Sequence, residues 1–205
     1  MNENIYGTPG ILIVISAPSG AGKTSICRRL FDLCPNLRYS VSFTTRTPRP
    51  SEENGKDYYF VSVPLFKEMI DRGEFVEWVE NYGQFYGTPK KIIEDCLKKG
   101  RDLIVDVEPR GARKLKERYS DGIFVFILPP SMAELRGRLV KRGSGEIEKR
   151  LSTARKEIEE VLWYDYAIFN ERLDEAVDLL RSIYVAEKSK KDRMMGRIND
   201  FIYNA

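Results

Sequence analysis

Ile11-Leu12-Ile13-Val14-Ile15-Ser16-Ala17-Pro18-Ser19-Gly20-Ala21-Gly22-Lys23-Thr24 is the stretch on which the fold turns. Its first five residues are wholly apolar, as a strand buried on both faces should be. Ser16 to Gly22 is built of small residues, a proline and two glycines, and reads as a turn. Lys23 to Leu33 then reads as a helix. Strand, glycine-rich turn and helix in this order match the phosphate-binding-loop pattern, with Ala17 standing where the pattern opens on glycine. Gly20 and Gly22 let backbone amides turn inward around an anion, and the helix N-terminus adds partial positive charge. Lys23 is placed to reach the outer phosphates of a nucleotide, and the Thr24 hydroxyl to ligate Mg²⁺. The competing reading, a glycine-rich turn with an exposed lysine, does not explain the buried-type strand before it.

Outward from this segment, apolar runs recur at Leu103 to Val107 and Ile123 to Leu128, each followed by a helical stretch, near Ala112 to Arg118 and Ser131 to Lys141. Strands alternating with helices predict a parallel sheet covered on both faces. Between about Tyr39 and Gly87 the pattern changes. Tyr39 to Phe43, Tyr58 to Val61, Phe75 to Val79 and Phe85-Tyr86 read as short strands, with turns at Glu53-Asn54-Gly55 and Asn81 to Gln84. One helix, about Pro64 to Arg72, interrupts them. Thr88-Pro89 opens the next helix to Lys99, with the threonine as N-cap and the proline in the first helical position. Arg142-Gly143-Ser144-Gly145 breaks a helical pattern that resumes near Ile147 and runs to about Trp163. Tyr166 to Asn170 is a last strand, and the tail from Ser189 extends the final helix. The expected fold class is α/β: a three-layer P-loop core on a parallel sheet (10–38 and 89–187), a small mixed-β insertion (39–88), a short lid (about 138–150) and a tail (188–205).

Composition narrows the chemistry. The chain has 205 residues, 42% hydrophobic and 32% charged, enough for one domain with a sizeable core. A net charge of +3, from 34 basic and 31 acidic side chains, is too small an excess for a nucleic-acid binder. With no histidine, Ser-His-Asp and Cys-His nucleophilic machinery and His-ligated metals are excluded. Cys27, Cys34 and Cys96 form no C-x-x-C pair and suit free thiols in a reducing compartment. No apolar run approaches the about 20 residues needed to span a membrane. The expectation is a cytoplasmic protein with neither nucleic acid nor membrane as partner.

A second anion site is suggested by Ser42-Phe43-Thr44-Thr45-Arg46-Thr47-Pro48-Arg49 and Glu53-Asn54-Gly55-Lys56-Asp57-Tyr58. Two arginines three apart, beside hydroxyls and a tyrosine, suit bidentate recognition of a phosphate monoester. At these residues the sequence closely resembles the guanylate kinases. The similarity continues through Glu74-Phe75-Val76-Glu77-Trp78 and Tyr86-Gly87-Thr88, and on to Arg142, Arg150, Tyr164-Asp165-Tyr166 and Asn170. It covers about Gly10 to Glu187.

The resemblance implies transfer of the γ-phosphoryl group of ATP to GMP, with Mg²⁺ accompanying ATP. Ala17, Pro18, Ser19, Gly20, Ala21, Gly22, Lys23, Thr24 and Asn170 match the ATP site. Arg46, Arg49, Tyr58 and Tyr86 match positions holding the GMP phosphate, and Ser42, Glu77 and Thr88 match positions contacting guanine. Glu108 stands where the family usually has an aspartate that also reaches the base. Guanine presents donors at N1 and N2, which the Glu77 carboxylate can accept together, whereas adenine presents an acceptor at N1. Lys23, Arg46, Arg142 and Arg150, with Arg138 nearby, are the expected catalytic cations. Two alternatives stay open for Asp106, a carboxylate orienting hydrated Mg²⁺ or a strand-end turn cap, and two for Thr88, base contact or helix cap. The rival functions are a kinase for another nucleoside monophosphate and a catalytically silent binding module of the same fold.

Overall fold

The computed structural model describes residues 9–81, 83–143 and 145–203. Tyr82 and Ser144, which fall in two of the expected turns, lie outside the described residues. Five strands make a wholly parallel sheet: β1 Leu12–Ser16, β2 Arg38–Tyr39, β7 Leu103–Asp106, β8 Ile123–Leu128 and β9 Tyr166–Phe169, in the order β2-β7-β1-β8-β9. β1 is central and buried along its whole length, which is why it carries no polar alternation. Its side chains divide by parity. Ile13 and Ile15 pack with Ile104, Val125 and Ile127 under α1 (Lys23–Leu33) and α7 (Leu173–Lys188). Leu12 and Val14 pack with Leu103, Val105 and Phe124 under α3 (Lys90–Lys98) and α4 (Pro109–Arg118). The result is the three-layer α/β core expected from the sequence.

The insertion is a separate four-stranded mixed sheet, β4-β3-β6-β5, formed by β3 Phe43–Thr44, β4 Tyr59–Phe60, β5 Phe75–Asn81 and β6 Gln84–Pro89. It encloses Phe66 of α2 (Val63–Asp71), stacked on Phe75 with centroids 4.6 Å apart. The expected strand Tyr39 to Phe43 is not one strand. Tyr39 pairs with Ile104 in the core sheet and Phe43 with Tyr59 and Gly87 in the insertion. The chain changes sheets at Ser40, whose backbone amide still donates to Ile104 O. The segment expected as a lid, about 138–150, joins α5 (Met132–Lys141) to α6 (Ile147–Glu159), and the two helices pack on a small core of their own, Leu135, Leu139, Leu151 and Ala154. The stretch expected as helix to Trp163 tightens into a 3-10 turn at Glu160–Trp163. The tail does not extend α7: that helix ends at Lys188, and α8 (Lys191–Tyr203) begins anew with no buried residue.

Candidate functional site

The C-terminal ends of β1 and β7 open into a cleft of about 1360 Å³, walled by the loop after β1, the insertion sheet and the lid. That exceeds the ~300–1,000 Å³ typical of a site for one small ligand. Open α/β sheets place ligands at this edge because strand ends there leave backbone groups and loops free to converge.

The loop after β1 is shaped by two residues in the left-handed region, Gly20 (φ 94°) and Gly22 (φ 96°). At Gly22 space forbids a side chain too, since a Cβ there would lie 2.2 Å from Asn170 Nδ2. Ala17 has no positive φ, so alanine is tolerated where the motif has glycine. Lys23 is ion-paired with Asp106, which the register places beside Ile15 at the end of β7. Burial works against the charge of Lys23, but the Asp106 carboxylate outweighs it and holds the ammonium above its ordinary value. Asp106 thus faces the cleft rather than capping a turn. Asn170 does not line the cleft wall. It is buried behind the loop, where its amide donates to Ala21 O at 2.7 Å. Arg138 reaches the same carbonyl at 3.3 Å and Asn170 O at 3.0 Å. Asn170 braces the loop from the rear, and Arg138, which also lines the cleft, ties the two together.

Across the cleft, Arg46 lies 5.5 Å above the Tyr58 ring and 5.8 Å above Phe60. Its guanidinium donates to Glu52 Oε1 and to Thr47 O, each at 2.8 Å. Glu52 Oε2 accepts from the Arg49 amide at 2.8 Å. Tyr58, pushed up to about 12 by burial and then by Asp106, keeps its proton and faces Tyr86, with ring centroids 6.1 Å apart. Arg46, Arg49, Tyr58 and Tyr86 are thereby brought together as the sequence suggested.

Deeper in the cleft lies Glu77, 5% exposed. β5 sets it opposite Thr88, whose hydroxyl donates to Glu77 Oε1 at 2.5 Å. Burial raises the Glu77 carboxyl above its ordinary value; the Thr88 bond and Lys114 pull against it, and Glu108 adds to it. This decides the use of Thr88: it is not the helix cap. Pro89 occupies the N-cap of α3 with no side-chain bond, and Thr88 is fully buried behind Glu77. Ser42 and Glu108 line the same corner, and Glu108 Oε1 accepts from Asn81 Nδ2 at 2.6 Å.

At the mouth, Arg142 and Arg150 of the lid meet Arg49 and Ser19 around a recess of about 430 Å³. Arg150 donates to Ser19 Oγ and to Gly145 O, both at 3.2 Å, so it already touches the phosphate-binding loop. Sequence reasoning missed Glu52, Thr153 and Glu157, which also line the cleft. The signals were present. Glu52 follows Arg49 by three residues in a turn, and Thr153 and Glu157 follow Arg150 by three and seven residues on one helix face. Burial and then the nearby Glu108 raise Glu157 to about 7.

Comparison with known proteins places these features. A family model described as guanylate kinase matches residues 10–187. The guanylate kinase of Syntrophus aciditrophicus (strain SB) is 54% identical over 200 residues, covering 97% of each chain. That of Geobacter metallireducens is 49% identical over 194 residues, 93% of this chain and 96% of the other. The crystal structure of guanylate kinase from Anaplasma phagocytophilum superposes with a TM-score of 0.79 at 35% identity, covering 94% of this chain and 95% of that one.

Proposed function

The chain belongs to the guanylate kinase family, and from that premise we propose a division of labour in its cleft for moving the γ-phosphoryl group of ATP to GMP. As an ATP:GMP phosphotransferase it brings a GMP phosphate oxygen onto the γ-phosphorus in line with the departing β–γ bridging oxygen. One P–O bond forms as the other breaks, and ADP and GDP result. Such a reaction asks for positioning and charge compensation more than covalent chemistry.

The amides of Ser19 to Thr24 and the Lys23 ammonium hold the ATP phosphates, braced by Arg138 and Asn170. Arg46, Arg49, Tyr58 and Tyr86 hold the GMP phosphate. Glu77 accepts the guanine N1 and N2 donors, with Ser42 and Glu108 alongside and Thr88 fixing the carboxylate from behind. Arg142 and Arg150 meet the transferring group, since they stand between Ser19 on the donor side and Arg49 on the acceptor side. Thr24 and Asp106 both line the cleft beside Lys23, and the described residues contain no group of three or more His, Cys, Asp or Glu able to hold a metal. One hydroxyl and one carboxylate fit Mg²⁺, which keeps several waters and takes phosphate oxygens from the nucleotide. When bound, Mg²⁺ would neutralise phosphate charge. No described helix is long and apolar enough to cross a membrane.

The observation that carries the reading is that a lysine-bearing phosphate loop and an arginine–tyrosine phosphate site open into one cleft with a buried carboxylate at its end. ADP release measured with AMP, GMP, CMP and UMP tests it. Turnover with GMP should exceed the others by orders of magnitude. Preference for another monophosphate, or no release with any, would overturn it.

A further inference from the structure

Gly111 lies buried in the first turn of α4, at its third residue. Its backbone gives no reason for glycine: it is not among the residues with positive φ, and glycine is the poorest helix former after proline. The reason is space. A Cβ at this position would lie 2.7 Å from Glu77 Oε2, 2.9 Å from Glu77 Cδ and 3.3 Å from Glu77 Cγ. Ordinary contact begins near 3.4 Å, so the carboxylate would have to shift by roughly 0.7 Å.

Glu77 has little freedom to absorb that shift as a whole. Its Oε1 is tied to the Thr88 hydroxyl at 2.5 Å, and Thr88 is fully buried. Displacement therefore falls on Oε2. Two parallel N–H···O bonds to one base need both oxygens in place. A bond of about 2.9 Å lengthened by this amount passes beyond hydrogen-bonding range.

We infer that Gly111 is a specificity-determining residue of the acceptor site: its bare backbone sets the depth at which the Glu77 carboxylate sits, and so the reading of the 2-amino purine edge. The inference rests on Glu77 being the guanine acceptor. Its test uses Gly111→Ala, Glu77→Gln and the double variant, with GMP and with inosine monophosphate, whose base lacks the 2-amino group. Gly111→Ala should compress the GMP-to-IMP ratio of kcat/KM by tenfold or more while the KM for ATP stays within twofold. A merely structural defect would lower both acceptors together. The double variant should show the ratio of Glu77→Gln alone, because both changes act through one carboxylate.

The outcomes separate. An unchanged ratio in Glu77→Gln removes the reading of Glu77 itself. A collapsed ratio in Glu77→Gln with a wild-type ratio in Gly111→Ala overturns the role of Gly111. Should Gly111→Ala fold poorly, thermal unfolding in the Glu77→Ala background decides, because alanine at 77 leaves room for the new Cβ. Gly111→Ala should be harmless or stabilising there. An equal drop in Tm in both backgrounds overturns the inference.

Discussion

Glu52→Ala should loosen the acceptor-phosphate site without touching the donor site. Glu52 and Arg46 are 12% and 18% exposed, and the carboxylate accepts from the Arg46 guanidinium and from the Arg49 amide at 2.8 Å each. Charge-assisted bonds are worth about 1.5–3 kcal/mol each when shielded. Arg46 retains Thr47 O and two aromatic faces, and water can enter, so a combined stability loss of about 2–3 kcal/mol is expected. The freed Arg46 must then be ordered by GMP itself. Fixing a long side chain costs about 1–2 kcal/mol, which corresponds to a KM for GMP raised roughly 5- to 30-fold. The KM for ATP should not move. Burial raises the Glu52 carboxyl, but the Arg46 bond and the Arg49 amide outweigh it and hold it below its ordinary 4.5. Its stabilisation is therefore complete above about 4.5 and is lost as pH falls through the lowered folded value. The difference in unfolding free energy between wild type and Glu52→Gln should be flat from neutral pH down to that range and shrink below it. Steady-state kinetics and urea unfolding check both halves. An unaltered KM for GMP in Glu52→Ala would refute the idea that Glu52 preorders Arg46.

Lys23→Ala should abolish transfer while far-ultraviolet circular dichroism stays native; near-normal ADP release from this variant would remove the phosphate-loop assignment. Arg150→Ala should lower kcat on the order of 10³-fold with only modest changes in both KM values, and Arg150→Lys should rescue poorly because an ammonium lacks the planar fork. A raised KM at constant kcat would make Arg150 a binding residue only. Glu157 is protonated in the folded chain below about 7, and its charged form is penalised above that. Glu157→Gln should therefore stabilise the protein by about 1–3 kcal/mol at pH 8 and have little effect near pH 4. Thermal unfolding across that range checks it, and a pH-independent difference counts against it.

The parallel core was legible because its three inner strands, β7, β1 and β8, are buried on both faces. Ile123 to Leu128 and the helix from Lys23 to Leu33 fall where the apolar runs and the turn residues put them. The insertion was read less well. Tyr39 to Phe43 looks like one strand because nothing local marks the point at which the backbone leaves one sheet for another; that point is fixed by the partners, Ile104 on one side and Tyr59 on the other. Thr88-Pro89 carries the local signature of a helix start, yet a buried carboxylate eleven residues earlier takes the hydroxyl. Long-range pairing outranks local capping wherever a charge must be satisfied in the interior. Asn170 and Arg138 were named from the sequence, but the same reason hid how they act: their partner, Ala21 O, becomes a neighbour only after the sheet is assembled.

A site meant for phosphates concentrates cations, and concentrated cations in a half-buried cleft tend to lose their protons or their order. Two ion pairs answer both problems. Burial pulls the Lys23 pKa down, and the Asp106 carboxylate beside it outweighs that pull and holds it above the ordinary value. Arg46 carries a charge that burial cannot remove, so Glu52 acts on its position rather than its protonation. Each cation is thus charged and placed before any nucleotide arrives. In the proposed division of labour each phosphate group replaces or joins a carboxylate already there, instead of organising a loose side chain. The arrangement also fits a chain with a net charge of only +3, because carboxylates such as Glu52 and Asp106 line the same cleft as the cations they order. Positive charge is thereby offered at particular guanidinium and ammonium groups rather than as an overall excess.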